Sequence, residues 1–377
     1  MNARRVTAVA RKEFLHILRD PRSLAMAIAI PMLMLLLFGF ALTLDVDHVP
    51  LVVWDQSHTP ESREIVSRFS GSPYFSLLGY VDNERDMNRA IDSGQALMGL
   101  IIPYDFARRL SFDTQAPLEV AISGVDSNTA TIALGYADAI VEIYSQDLMI
   151  HRFSRQGPTK VQIPLDVRGR VWFNADMESK NYIVPGLIAV IMMVIAAMLT
   201  SLTFAREWER GTMEQLISTP VRGSELVLGK LIPYFAIGLL DMVLAVLLGQ
   251  FMFEIPLRGN VALLFGVASI FLVGVLAMGM LFSIATKSQL LASQLAMTVT
   301  FLPAFLLSGF IFAIVNMPRP IQWITYLVPA RYFIGILKGI YLKGVGLEIL
   351  AADTILLVVF AVAMVVLAQW TFKKKLT

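Results

Sequence analysis

The stretch Ile183-Val184-Pro185-Gly186-Leu187-Ile188-Ala189-Val190-Ile191-Met192-Met193-Val194-Ile195-Ala196-Ala197-Met198-Leu199-Thr200-Ser201-Leu202-Thr203-Phe204 holds no charged residue. Directly after it comes Ala205-Arg206-Glu207-Trp208-Glu209-Arg210-Gly211-Thr212-Met213-Glu214-Gln215-Leu216-Ile217-Ser218-Thr219-Pro220, where charges of both signs crowd together. A helix needs about 20 apolar residues to cross hydrocarbon, so the first stretch reads as a membrane span and the second as the polar turn it runs into. Five further segments have that length and character: Leu24–Leu44, Leu226–Phe251, Val261–Ile284, Leu290–Val315 and Ile349–Trp370. Composition agrees. Of 377 residues, 56% are hydrophobic and 16% charged, against about 25% charged in ordinary soluble domains. The expected fold is an α-helical polytopic membrane protein of six spans. With no cysteine there are no disulfides, thiolate metal sites or cysteine nucleophiles. A net charge of +2 offers no footprint for nucleic acid.

Orientation follows from lysine and arginine near the spans. Arg4, Arg5, Arg11, Lys12, Arg19 and Arg22 precede span 1, Arg206, Arg210 and Arg222 lie between spans 2 and 3, Lys287 between spans 4 and 5, and Lys373, Lys374 and Lys375 in the tail. The opposite side has Arg258 in a short loop and Arg319, Arg331, Lys338 and Lys343 in a longer one. Both termini are therefore expected in the cytoplasm. Residues 1–22 read as a cytoplasmic amphipathic helix lying on the inner leaflet, with Val6, Ala10, Phe14, Ile17 and Leu18 on its apolar face and Pro21 ending it. Residues 23–44 then form span 1, residues 45–182 an extracytoplasmic domain, and residues 183–377 the remaining spans.

Residues 45–182 alternate strand-like and helix-like runs. Strands are expected at Val49–Trp54, Tyr74–Val81, Leu97–Ile102, Leu118–Ser123 and Val167–Phe173. Helices are expected at Pro60–Phe69, with Thr59 as N-cap, and at Glu84–Ser93, Tyr104–Leu110 and Ser127–His151, with a loop over residues 152–163. This order implies an inserted α/β domain with a parallel or mixed sheet.

The turn 205–220 reads as one short helix that cannot enter the bilayer and is joined rigidly to spans 2 and 3. Met213, Leu216 and Ile217 have the spacing of a docking face, so a partner gripping it could move both spans. The bland reading is a solvated loop held by Glu/Arg pairs. Here the chain resembles the permease subunits of ABC-2 type exporters, in the subgroup with a large extracytoplasmic domain after the first span. Glu-Trp-Glu-Arg-Gly-Thr-Met-Glu-Gln-Leu at 207–216 carries the resemblance, with Arg-Lys-Glu-Phe-Leu-His-Ile-Leu-Arg-Asp-Pro at 11–21, Leu-Ser-Gly-Phe at 307–310, Asn-Met-Pro at 316–318 and Pro-Ala-Arg-Tyr-Phe at 329–333. It implies that residues 205–220 form a coupling helix docked on a cytoplasmic ABC ATPase subunit, through Arg206, Glu207, Glu209, Arg210, Gly211, Thr212 and Glu214. The helix before span 1 would join the contact, bringing Arg11 and Glu13. Gly211 would allow close backbone approach, and charge reversal at Glu207 or Glu209 would uncouple ATP hydrolysis from transport. The chain departs from the family pattern at Val315 and Ala313, near which other members often carry an acidic residue.

The resemblance further implies a second permease, identical or homologous, with ATP and Mg²⁺ held on the ATPase and no cofactor in this chain. The location would be the bacterial inner membrane. No phosphate-binding loop is present, since Gly229-Lys230-Leu231 lacks both the glycine-rich lead and the hydroxyl. Within the spans, Asp241 in span 3 should face a cavity or a subunit interface, as a gating or structural carboxylate. Gln289, Ser293, Gln294 and Thr298 put polar groups on span 5, with Pro303, Ser308 and Gly309 near its outer end. These suit helix packing or the lining of a substrate path. The resemblance tilts span 5, with Gln294, Thr298, Pro303, Ser308 and Gly309, toward the dimer interface or translocation path, where Asp241 is also expected. Residues 316–345 suit short re-entrant helices with Trp323, Tyr326, Tyr332, Phe333 and Tyr341 at headgroup depth. Asp45, Asp47, His48, Asp55 and His58 are too irregularly spaced for a metal cage, and no metal is expected. The expected function is export of an amphipathic or drug-like substrate, with membrane lipid and a periplasmic adaptor protein as further partners. The alternative is a mechanotransmission or sensory protein that controls an extracytoplasmic partner without transport.

Overall fold

The computed structural model describes residues 2–42, 46–112, 116–155, 173 and 178–372. Two compact units make up the chain, Met1–Thr43 with Val171–Thr377, and Leu44–Arg170.

The first unit opens with α1 (Ala3–Arg19), where the Asn2 side chain accepts from the Arg4 amide and Asp20 leaves the helix in an extended conformation. Pro21 then starts α2 (Pro21–Leu24), as suits a residue without an amide hydrogen at a helix N-terminus. The chain continues helically through a π-turn at Ala25–Ala29 into α3 (Ile30–Ala41). The π-turn immediately precedes Pro31, which can neither donate to residue 27 nor tolerate its carbonyl at α-helical distance. Wider winding there keeps the first apolar segment helical around a proline.

The α/β unit follows: β1 (Val49–Asp55), α4 (Pro60–Ser70), β2 (Phe75–Tyr80), α5 (Glu84–Asp92), β3 (Met98–Ile102), α6 (Phe106–Ser111), β4 (Glu119–Ile122) and α7 (Ser127–Arg155). The strand order is β2-β1-β3-β4, with β1 parallel to both neighbours and β4 antiparallel to β3, which makes the sheet mixed. Alternation sorts the strands' side chains. Val49, Leu51 and Val53 with Leu100 and Ile102 pack against Ile65 and Phe69 of α4 and Ala133 and Ala137 of α7, while Val52 meets Met87 of α5 on the other face. Thr59 caps α4 as the sequence leads one to expect, accepting from the Ser62 amide. The fifth strand, expected at Val167–Phe173, lies outside the described residues except for Phe173, and α7 runs through residues expected to be loop, to Arg155.

The remaining helices are α8 (Ser179–Glu209), α9 (Thr212–Ser218), α10 (Gly223–Phe251), α11 (Val261–Thr286), α12 (Gln289–Leu306), α13 (Arg319–Thr325), α14 (Pro329–Lys338) and α15 (Leu347–Thr371). A 3₁₀ turn at Ile314–Asn316 and a π-turn at Gly339–Lys343 complete the unit. Among the described residues five helices are long and apolar enough to cross a membrane, namely α8, α10, α11, α12 and α15, and Ala27–Ala41 is a shorter apolar helix. Every residue from Ile183 to Ala197 is buried. A helix apolar all round belongs inside, and α8 is the core around which α3, α10, α11, α12 and α14 pack.

The sequence leads one to expect span 5 to reach Val315, but α12 stops at Leu306, because Gly309 adopts a left-handed φ of 80° that no helix continues through. The apolar face expected of α1 divides between a packed part and an exposed part. Val6, Val9, Glu13 and Ile17 are its buried residues, while Phe14 and Leu18 are exposed, because α1 packs on α10 as well as presenting an apolar edge outward. The aromatics of residues 316–345 divide: Trp323 and Tyr326 are exposed, but Tyr332, Phe333 and Tyr341 are buried, with Phe333 stacked on Phe271 at 4.1 Å.

Candidate functional site

The charged turn is not one helix. Its first residues, Ala205–Glu209, are the last turn of α8, and Arg210 is the C-cap. Gly211 has φ 70°, and nothing lies within 4 Å of where its β-carbon would be. That φ lies in the left-handed region and reverses the chain between α8 and α9, and the open space beside it is unfilled by this chain. A β-carbon in that conformation costs about 1–2 kcal/mol. Gly211→Ala is expected to lose about that much stability, and Gly211→Asn less, since asparagine tolerates the left-handed region. Thermal melting of the purified variants checks this, and equal melting of Gly211→Ala and wild type would contradict it.

After Gly211, α9 turns its apolar side inward. Met213 is buried against Phe204, Leu226 and Val227, with Leu216 packed on the same cluster, so these side chains fix α9 to its own chain and do not form a docking face. Arg210, Thr212, Glu214 and Gln215 are exposed. The Thr212 hydroxyl donates to the Glu207 carbonyl at 3.3 Å. Glu209 is also exposed but engaged. Its carboxylate accepts from the Gln289 amide at 2.7 Å and from the Gln289 side chain, joining the end of α8 to the start of α12.

Glu207 points the other way. It is buried, and Lys12 donates to it at 2.7 Å while Lys230 lies 3.0 Å from its other oxygen. Lys230 also donates to Glu13 at 2.9 Å and to the Thr203 carbonyl at 3.3 Å. The Lys230 side chain is only 1% exposed. Two carboxylates and two ammonium groups from α1, α8 and α10 thus form one alternating cluster. Burial works against ionisation of Glu13, but Lys230 and then Lys12 outweigh it and hold the carboxyl below its ordinary value. Arg206 donates to Nε2 of His16 at 2.8 Å and lies 3.8 Å from Asp20, a second tie between α8 and α1. Glu225 ties α10 to the start of α1, accepting from the amide of the α10 N-cap Arg222 (3.0 Å) and from the Asn2 amide (2.7 Å). A cavity of about 450 Å³ opens beside the cluster, walled by Lys12, His16, Arg206, Arg210, Gln215 and Tyr234 among others.

Of the residues named from sequence for partner contact, the structure brings Arg206, Glu207 and Glu13 into this internal network and leaves Arg210, Thr212, Glu214 and Arg11 at the surface. Lys230 and Lys12 were not named. The signal available for Lys230 was a lone lysine in an apolar helix, one to two turns after Glu225, on the same chain as an acidic Glu13 in an amphipathic helix.

The second group of residues scatters. Asp241 is buried in the bundle, its Oδ1 without a hydrogen-bond partner among the described residues, and it lines two small cavities with Pro31, Met192 and their neighbours. It faces no surface. Ser308 is buried too, donating to the Ala304 carbonyl. The Gly309 carbonyl accepts from Tyr182 at 3.0 Å and from Lys338 at 3.3 Å. Gln294 and Thr298 are exposed on α12, in one row with exposed Leu290 and Leu302, and neither side chain is hydrogen-bonded among the described residues. Pro303 lies within α12, half-buried. In the α/β unit Asp55 accepts from Ser62 at 2.7 Å and from the Ser57 and His58 amides, a local turn arrangement, and among the described residues no three acidic or histidine side chains group as metal ligands. Asp45 lies outside the described residues.

The family described as "ABC-2 family transporter protein" matches residues 21–370. The chain is 37% identical over 374 residues to the probable multidrug ABC transporter permease YbhS of Escherichia coli (strain K12), covering 99% of this chain and 98% of that one. To the probable multidrug ABC transporter permease YbhR of the same strain it is 31% identical over 345 residues, 92% of each chain. To the inner membrane transport permease YhhJ, also of that strain, it is 24% identical over 331 residues, 86% of this chain and 85% of that one. With likeness along nearly its whole length, and a helical unit built around α8 and its charged turn, this chain is a multi-pass membrane permease of the ABC-2 transporter family.

Proposed function

We propose that the chain is the membrane-spanning subunit of an exporter that expels amphipathic, drug-like molecules, driven by ATP and Mg²⁺ on a separate ATPase subunit. The observation that carries this reading is the construction of α9. Glu214 of α9 and Arg210 just before it are offered outward, Met213 packs α9 into a cluster with Val9, Phe204 and Leu226, and the Lys230 cluster ties α1, α8 and α10 to one another. Force applied to α9 reaches three helices at once. The ATPase would grip Arg210, Thr212, Glu214 and Gln215, with the exposed Arg11 of α1 alongside.

In this reading α2–α3 forms the first of six spans, both termini lie in the cytoplasm, and the α/β unit stands outside, on the periplasmic side of an inner membrane. The row Leu290, Gln294, Thr298 and Leu302 on α12 would meet a second permease, identical or homologous. A bare amide facing lipid is costly, and a protein partner or polar path relieves it. Exposed Trp323 and Leu327 suit the outer lipid interface. The α/β unit would engage a periplasmic adaptor or its counterpart on the second permease. The drug-like substrate class is supported by the relatives' description as multidrug permeases.

The test uses inside-out vesicles holding the permease with its ATPase. A lipophilic cationic dye is expected to accumulate in them on adding ATP and Mg²⁺, and not with a permease carrying Arg210→Glu and Glu214→Lys. No ATP-dependent uptake of any of a panel of amphipathic dyes, with the complex intact, would defeat the exporter reading.

A further inference from the structure

We propose that Asp241 is a proton-binding site, and that protons reach it through Tyr234 from the cavity beside the Lys230 cluster. This goes beyond the exporter reading and does not depend on it. Lys230, Tyr234 and Asp241 are spaced by four and seven residues in α10, which puts them on one face of the helix. Eleven residues at the helical rise span about 16 Å. Cavities accompany that face. The large one is walled by Lys230 and Tyr234, a second by Tyr234, Gly238 and Asp241, and a third by Asp241 and Ala245. The second and third each offer about 10 Å³, close to the room that one water needs. Tyr234 is thus the wall shared between the open cavity and the enclosed carboxyl.

The surroundings decide what the carboxyl can hold. Asp241 is 5% exposed and its Oδ1 has no donor among the described residues. Pro31 and Leu35 of α3, Met192 and Ile195 of α8 and Leu272 of α11 face it, all apolar, and among the described residues the only other titratable group lining its cavities is Tyr234. No cationic side chain neutralises it there. A metal cation would need several oxygen ligands, and the site supplies one carboxylate. A proton needs a single oxygen and removes the unpaired charge from an apolar interior. The carboxylate gains H⁺ and becomes the neutral acid. The proton comes from water in the large cavity, where Lys12, Glu13, His16, Arg206, Glu207 and Lys230 are the charged or titratable groups. The Tyr234 hydroxyl passes it by donating its own proton on one side and accepting another on the other, with no net change of its charge. A conformation that opens the seam between α3, α8, α10 and α11 to water would release the proton, so the site ties helix movement to pH.

Infrared spectroscopy of the purified full chain in lipid nanodiscs tests this. At neutral pH the wild type is expected to show the carbonyl-stretch band of a buried protonated carboxylic acid, moved by labelling the aspartates with ¹³C at the side-chain carboxyl and missing in Asp241→Asn. The label makes the reading on wild type independent of whether the variant folds. Tyr234→Phe should keep the band but slow its exchange in D₂O by roughly tenfold or more. If the ¹³C-labelled wild type shows no shifted protonated-acid band at neutral pH, or Asp241→Asn retains it, the binding site is refuted. Unchanged exchange in Tyr234→Phe would refute the path.

Discussion

Lys230→Met is expected to lose about 3–5 kcal/mol of stability, the usual cost of removing one partner from a buried ion pair. The side chain is 1% exposed and faces two carboxylates, Glu13 at 2.9 Å and Glu207 at 3.0 Å. Methionine fills the space but leaves both acids short of a cation. Lys12 remains, 2.7 Å from Glu207 and 3.5 Å from Glu13, but its side chain is 55% exposed. Lys12→Met should therefore cost far less, about 1 kcal/mol or below. Adding Glu13→Gln and Glu207→Gln to Lys230→Met should recover most of the loss, because neutral groups need no counter-charge. Thermal melting in detergent separates these cases. A Lys230→Met protein melting like wild type would mean that the cluster contributes nothing. Acid gives the same information by another route. Glu13 is held below its ordinary value in the folded chain, so its contribution is complete above the unfolded value of about 4.3 and is lost as pH falls through the folded one. Wild type should weaken on acidification below about pH 4, and the triple variant less.

That cluster also shows what could be read from sequence and what could not. The spans were legible because burial in lipid or protein demands long apolar runs, and α8 is apolar all round where it is most buried. The strands of the α/β unit were legible because short β-branched runs are cut by caps and prolines, such as Thr59 before α4 and Pro103 after β3. Hydropathy carried the reading of span 5 too far, since it counts apolar residues and cannot see the left-handed turn at Gly309. Glu13 is expected, with Arg11, at the contact with a partner ATPase. Its true partner is 217 residues away, and no local pattern announces a pairing made by tertiary structure. The same blindness put Glu207 at a partner's surface. Spacing identifies the turn as special but cannot tell which of its charges face inward.

The facing of those charges determines where the coupling surface can be tested. Glu207→Lys would put a third cation between Lys12 and Lys230, and Glu209→Lys would break the contact with Gln289, so failure of either could come from misfolding. Arg210 and Glu214 are exposed, and neither makes a side-chain hydrogen bond or ion pair among the described residues. Arg210→Glu with Glu214→Lys should leave stability within about 0.5 kcal/mol of wild type, as surface changes do. It should nevertheless lower ATP-driven transport by about tenfold or more, the effect of losing roughly 1.4 kcal/mol of contact with the ATPase. Transport, ATPase co-purification and melting need to be measured on the same preparation. Loss of transport and of the ATPase with unchanged melting would place the contact on α9. Retained transport would move it elsewhere, with the exposed Arg11 of α1 the next residue to reverse. If transport falls while the ATPase still co-purifies, α9 receives the motion without supplying most of the affinity, and the buried Lys230 cluster becomes the route by which that motion reaches α1 and α10.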